Sequence, residues 1–402
     1  MKGTQFILFP LNIITIMVLG LILTLFKFSN YYTPPGIDNI IIYFISFTPL
    51  LFFYIFYAQR NNTYIPDNNI LRLDRLYKFF VLLSILFFLI VFLKTGVPIL
   101  SSTGRDMGAA NAEGVAFDGD KFTSILNIVA YSFVVTAVTM ASAFSKLKIS
   151  IFCLIFAVLM STMILSRQLT MVSFVIFFIG YVSRYKINFK RVFYSSLLIL
   201  FIIIFFGALG NYRQQLHGDY VSDYAHVIGG SNKSGYILNE SLFWLWIYIA
   251  SPVYNLFYNM DVFRSVTSPC FALNGYCVES FLSSEVLPLT ISKMLGFEVG
   301  FEELGGNLVV SHLNVSTAYV RSVVIFGKLG IIIHVLLQIL FFILVNWLCH
   351  KDMRYVLRIY YSAISLFSIF SNLFITPHFV FAIFIIIIIS WLNQVRFSLK
   401  YR

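Results

Sequence analysis

Apolar runs of 17–23 residues recur along this chain, each long enough to cross about 30 Å of hydrocarbon as a helix. That spacing constrains the fold before any motif is read. A chain that crosses lipid must satisfy its own backbone, and long continuous apolar runs favour helices over the weak alternation of a β-barrel. The sequence predicts an all-α polytopic membrane protein with about ten spans, near 6–28, 37–58, 77–93, 122–145, 149–166, 168–183, 193–210, 329–348, 355–375 and 379–393. Only 11% of the 402 residues are charged, against about 25% in soluble domains. Residues 6–28 are too long for a signal-peptide core and read as the first span.

The net charge of +11 describes topology rather than a nucleic-acid partner. With the N-terminus in the cytoplasm, one set of loops and ends collects 17 basic and three acidic residues; everything else holds 11 basic and 14 acidic. The positive-inside rule then places both termini in the cytoplasm. Three regions follow: an N-terminal bundle, 1–210, of about seven spans; a large periplasmic loop, 211–328; and a C-terminal bundle, 329–402, of about three spans.

Arg167 is the one charge between Ile149 and Ser183. Thirty-five helical residues would extend about 53 Å, so the stretch reads as two short helices with Arg167 at the outer turn. A guanidinium at the centre of a span would cost about 2.5–3.5 kcal/mol. Residues 237–260 are apolar and aromatic, but a crossing there would invert the charge pattern beyond Trp347. With Pro252 as an interruption, they read as a re-entrant or interfacial helix pair, with Trp244 and Trp246 at the headgroup level. Cys270 and Cys277 flank Asn274-Gly275, a turn signal that suits a disulfide in an oxidising compartment.

Arg213 and Arg321 lie just outside the seventh and eighth spans, at the depth of Arg167. Arginine offers a planar fork that fits phosphate oxygens and keeps its charge. Three at one depth point to a lipid diphosphate. His217, Asp219 and Asp223 follow Arg213 closely, with His226 beyond them. No metal-ligand spacing and no nucleotide-binding glycine pattern is present, and no cofactor is expected. His334 and Gln338 form the main polar pair within a span and read as helix packing.

Three segments carry a family resemblance: "ILSRQL" around Arg167, "NYRQQ" around Arg213, and "HLNVSTAYVRSVVIFGKLG", which holds His312, Asn314, Arg321, Gly327 and Gly330. Together with one large loop in the C-terminal half, they resemble the Wzy-type O-antigen polymerases. The acidic residue that family often carries before the first glycine is absent, since Ile325 and Phe326 stand there. The resemblance implies a C-type glycosyltransferase membrane fold and a metal-independent transfer between oligosaccharide repeat units on undecaprenyl diphosphate at the periplasmic face. It also implies a chain-length regulator and a flippase as partners. An acceptor hydroxyl calls for a general base, with His312 first, then His217, Asp219 or Asp223; Asn314 is a further candidate. The O-antigen ligase differs in acceptor rather than chemistry and stays open, as does a lipid-linked oligosaccharide flippase.

Overall fold

The computed structural model describes residues 11–58, 75–98, 121–164, 166–184, 223–263, 275–297, 306–311, 313 and 315–400. Among these the chain is all-α; the only β feature is an isolated bridge between Ser29 and Ser231. Helices run in the order α1 (Asn12–Leu25), α2 (Ile37–Ser46), α3 (Thr48–Phe53), α4 (Leu76–Thr95), α5 (Lys121–Phe144), α6 (Leu147–Met163), α7 (Arg167–Arg184), α8 (Tyr224–Ile228), α9 (Glu240–Val262), α10 (Gly275–Phe281), α11 (Leu289–Met294), α12 (Val320–Phe326), α13 (Gly330–Leu348), α14 (Arg354–Leu366) and α15 (Pro377–Lys400). A π-helical turn, Tyr54–Ala58, continues α3, and another, Leu282–Val286, continues α10. Four helical stretches among the described residues are long and apolar enough to cross a membrane: Ile37–Tyr57, Leu76–Thr95, Phe122–Phe144 and Val320–Leu348. Four shorter apolar helices accompany them: Asn12–Leu25, Leu147–Met163, Gln168–Arg184 and Pro377–Asn393. The expected span at 193–210 lies outside the described residues.

Helix α5 is a hub, packed by α4, α6, α7, α14 and α15. Many of its buried residues are small or hydroxylated, among them Ala130, Ser132, Thr136, Ala137, Thr139, Ala141 and Ser142. Small residues let helices approach where lipid gives no hydrophobic drive for association. Gly180 of α7 is one such approach, since a Cβ there would lie 2.7 Å from Ser142 Cβ. The hydroxyls donate within their own helix, Thr136 to the Ser132 carbonyl and Thr139 to the Val135 carbonyl, each at 2.7 Å. Such bonds satisfy a hydroxyl inside an apolar layer without a partner from another helix.

The α6–α7 turn falls where the lone arginine marks it. Helix α6 ends at Met163, and Arg167 opens α7. Ser166 N donates to the Ser161 carbonyl at 2.8 Å, and the Ser161 and Thr170 hydroxyls pair across the hairpin.

Residues 240–262 differ from the expected helix pair: they form one continuous helix, α9, with Pro252 inside it. A proline deprives one carbonyl of its helical donor, and here the buried ring packs within the protein rather than ending the helix. Both tryptophans are buried against protein, not displayed to a headgroup layer, and Trp246 Nε1 donates to the Leu23 carbonyl at 2.9 Å. The far end of α9 is tied to the start of α2, where Asn39 Nδ2 donates to Asp261 Oδ1 at 3.0 Å. The start of α9 thus meets the last turn of α1, and its end meets the first turn of α2.

Arg358 is buried on α14, donating from Nε to Asn346 Oδ1 at 3.0 Å.

Candidate functional site

A helical hairpin of two unequal arms builds the site. Helix α12 is seven residues long, and the chain reverses at Gly327–Leu329 before α13 begins. Gly327 sits at φ 61° and ψ −152°, a region open almost only to glycine. Gly330 lets the arms touch, because a Cβ there would meet the backbone of Ser322 and Val323. The Gly-x-x-Gly pair thus has a backbone reason: the first glycine turns the chain and the second closes the gap.

The closed hairpin sets Tyr319, Arg321 and Ser322 against the first two turns of α13. The Tyr319 ring meets His334 edge-on at 4.9 Å, and its hydroxyl donates to Gln338 Oε1 at 3.3 Å. Gln338 Nε2 continues to Ser368 Oγ at 3.0 Å. Ser322 Oγ lies 3.4 Å from His334 Nδ1.

Glu285 completes the cluster from the π-helical turn after α10. Leu287 N bonds the Leu282 carbonyl at 2.8 Å, the five-residue spacing of a π turn. This turn delivers the Glu285 carboxylate into the bundle, where Oε2 lies 2.6 Å from His334 Nδ1. Asn372, in the segment between α14 and α15, donates from Nδ2 to the same oxygen at 3.2 Å. Arg321 meets the same turn: its Nη1 donates to the Ser284 carbonyl, next to Glu285, at 3.5 Å. Phe281 packs edge-on against Phe326 at 5.0 Å, fixing α10 on α12. Glu285 and His334 are both buried. Burying charge is costly unless it is paired and hydrogen-bonded, and the carboxylate gains two donors here.

The chain leading into α12 is a non-helical strap, and α9 holds it with two asparagines. Asn255 Nδ2 donates to the Val315 carbonyl at 2.8 Å and the Leu313 carbonyl at 3.3 Å, while its Oδ1 accepts from Val309 N at 3.0 Å. Asn259 exchanges a reciprocal pair with Asn307, each bond 2.8 Å. Ala318 N then donates to the Ser368 carbonyl at 2.8 Å.

Arg167 belongs to the same end of the bundle. Ser166, beside it, hydrogen-bonds the Tyr131 hydroxyl. The Tyr131 ring lies 5.0 Å from His378 at the start of α15, and the Asn372 segment leads directly into that helix. The Arg167 side chain lies outside the described residues, as do Arg213, His217, Asp219, Cys270, His312 and Asn314. Cys277 is placed only as backbone within α10. Asp223 is exposed ahead of α8 with φ 58°, away from the Glu285 cluster. His226 is a core imidazole between Tyr236 at 4.7 Å and Phe243 at 4.6 Å.

His334 is more than the helix-packing group read from sequence. Its partner is a carboxylate 49 positions earlier, and only the folded chain shows the pairing. Among the described residues, no group of three or more His, Cys, Asp or Glu is arranged to hold a metal ion. No protein-family model, curated protein or solved structure matches the chain.

Proposed function

We propose that this protein is an O-antigen polymerase of the bacterial inner membrane. It joins oligosaccharide repeat units carried on undecaprenyl diphosphate, at the periplasmic face and without a metal. The observation that carries the reading is Arg321, half-buried at the end of the bundle where α7 begins with Arg167. On this reading the chain crosses the membrane about ten times in a C-type glycosyltransferase arrangement, both termini are cytoplasmic, and α9 lies at the periplasmic interface.

The chemistry follows from the leaving group. The acceptor hydroxyl of one lipid-linked unit attacks the anomeric carbon of another chain. The carbon–oxygen bond to the diphosphate breaks, and the diphosphate leaves with the electron pair. Arginines supply the positive charge for that departure. The acceptor proton passes to a base, with His312 the first candidate and His217 or Asp219 next.

A transporter reading gains from one observation: buried ionisable groups in a helix bundle mark ion or substrate paths, and Glu285 and His334 are such a pair. One experiment separates the readings. The gene is deleted in a strain making polymeric surface polysaccharide, and wild type, Arg167→Ala or Arg321→Ala is restored. A core bearing one repeat unit in the deletion strain, with no ladder from either variant, supports the polymerase. Bare core points to the flippase or ligase, and polymer accumulating on lipid diphosphate identifies the ligase.

A further inference from the structure

An arginine at a membrane edge has two very different uses. It can reach freely toward headgroups, or it can be held in one orientation for a ligand. Arg321 is half-buried in the protein rather than reaching freely outward. It sits on a seven-residue helix closed against α13 by two glycines. The Ser284–Glu285 turn lies against it, and α10 is pinned by the Phe281–Phe326 contact.

Glu285 is in turn held by groups from two other elements. His334 Nδ1 and Asn372 Nδ2 both engage Oε2, at 2.6 Å and 3.2 Å. The other oxygen, Oε1, is buried without a hydrogen-bond partner. An acceptor left open in a buried carboxylate is rare. The turn that carries this carboxylate reaches Arg321 through the Ser284 carbonyl, 3.5 Å from Nη1. Four separate segments thus converge on one carboxylate and the guanidinium beside it.

We propose that Glu285, oriented by His334 and Asn372, is a positioning residue that fixes the Arg321 guanidinium for the diphosphate of a lipid-linked glycan. This rests on the polymerase reading above. Glu285 touches no substrate; it acts through Arg321. Its removal therefore spares substrate capture and costs the stabilisation of the departing diphosphate, which depends on geometry to within about 1 Å.

The test uses the full-length protein in proteoliposomes. The substrate is the lipid-diphosphate-linked repeat unit extracted from cells lacking the polymerase. Glu285→Gln is expected to lower kcat by about 100-fold with KM little changed. Glu285→Asp, which keeps the charge, is expected to recover part of that loss. The double variant Glu285→Gln, Arg321→Gln is expected to be no slower than Arg321→Gln alone, because both changes act through one guanidinium.

Two results would overturn the proposal: wild-type kcat in Glu285→Gln, or a double variant faster than Arg321→Gln. The second would make Arg321 only a counter-ion for Glu285. If Glu285→Gln does not fold, His334→Asn and Asn372→Ser take its place, with the same expected fall in kcat and the same refutation if kcat holds. Failure of the polymerase reading looks different: the wild-type protein itself would make no polymer.

Discussion

Replacing Gly330 with alanine tests whether the hairpin is closed by backbone contact. The new Cβ would lie 2.6 Å from Val323 N, and closer still to the carbonyl carbon and oxygen of Ser322. Ordinary contact needs about 3.5 Å, so the two arms must part by about 1 Å or more. All three obstacles are main chain, and no side chain can swing aside. Overpacking of this kind costs about 1–3 kcal/mol. Against it stands the better helix propensity of alanine, worth up to about 1 kcal/mol. The net expectation is a loss of up to about 2 kcal/mol, together with a loosened Arg321. Gly36 is the control: it precedes α2 with open space where a Cβ would go, so Gly36→Ala should stay within about 0.5 kcal/mol of wild type. Thermal unfolding of the purified protein in one detergent reads both. A Gly330→Ala protein that melts with or above Gly36→Ala would refute the closed hairpin.

Asn255→Ala strips three partners from the strap and should cost about 1–3 kcal/mol for each main-chain group left buried and unpaired, read as a lower melting temperature and faster proteolysis within 306–319. The buried Tyr32 phenol, between α1 and α2, has its pKa pushed up by burial to about 12 from 10.0. The folded state then holds a proton that the unfolded chain releases, so this contribution is complete below pH 10 and lost as pH rises toward 12. Tyr32→Phe should flatten that alkaline decline in denaturation midpoint, and an unchanged slope would count against the burial effect. Peptide mass spectrometry without reduction should find Cys270 joined to Cys277; free thiols at both positions would end that expectation.

The elements legible in the sequence are those whose reason is local. Crossing lipid requires a certain length, so apolar runs declare themselves. The α6–α7 turn was readable because 35 residues are too many for one crossing and a lone arginine marked where the chain emerges. Gly327 and Gly330 were readable as a pair, but their purpose was not: the obstacles are Ser322 and Val323, which come near only when the hairpin closes. Pro252 misled in the other direction. It suggested a break, yet a proline is tolerated in a helix whose surroundings are packed. Glu285 was invisible because a carboxylate in a loop sequence reads as solvated. Its partners lie 49 and 87 positions away, and no periodicity reports contacts at that range.

The two asparagines on α9 have a consequence for how such a chain can diversify. They grip the strap by its amides and carbonyls alone, much as a neighbouring β-strand would, without reading its side chains. The register of the strap is thereby set through its main chain. Its side chains add a second constraint: Leu313 is buried, and Val309 and Val310 pack against the same core as Trp246 and Tyr254 of α9. A Cβ at Gly306, which has φ 75°, would lie 2.6 Å from Asn259 Oδ1. Exchange of this stretch is therefore open only to sequences that keep a glycine at its start and apolar residues at those three places.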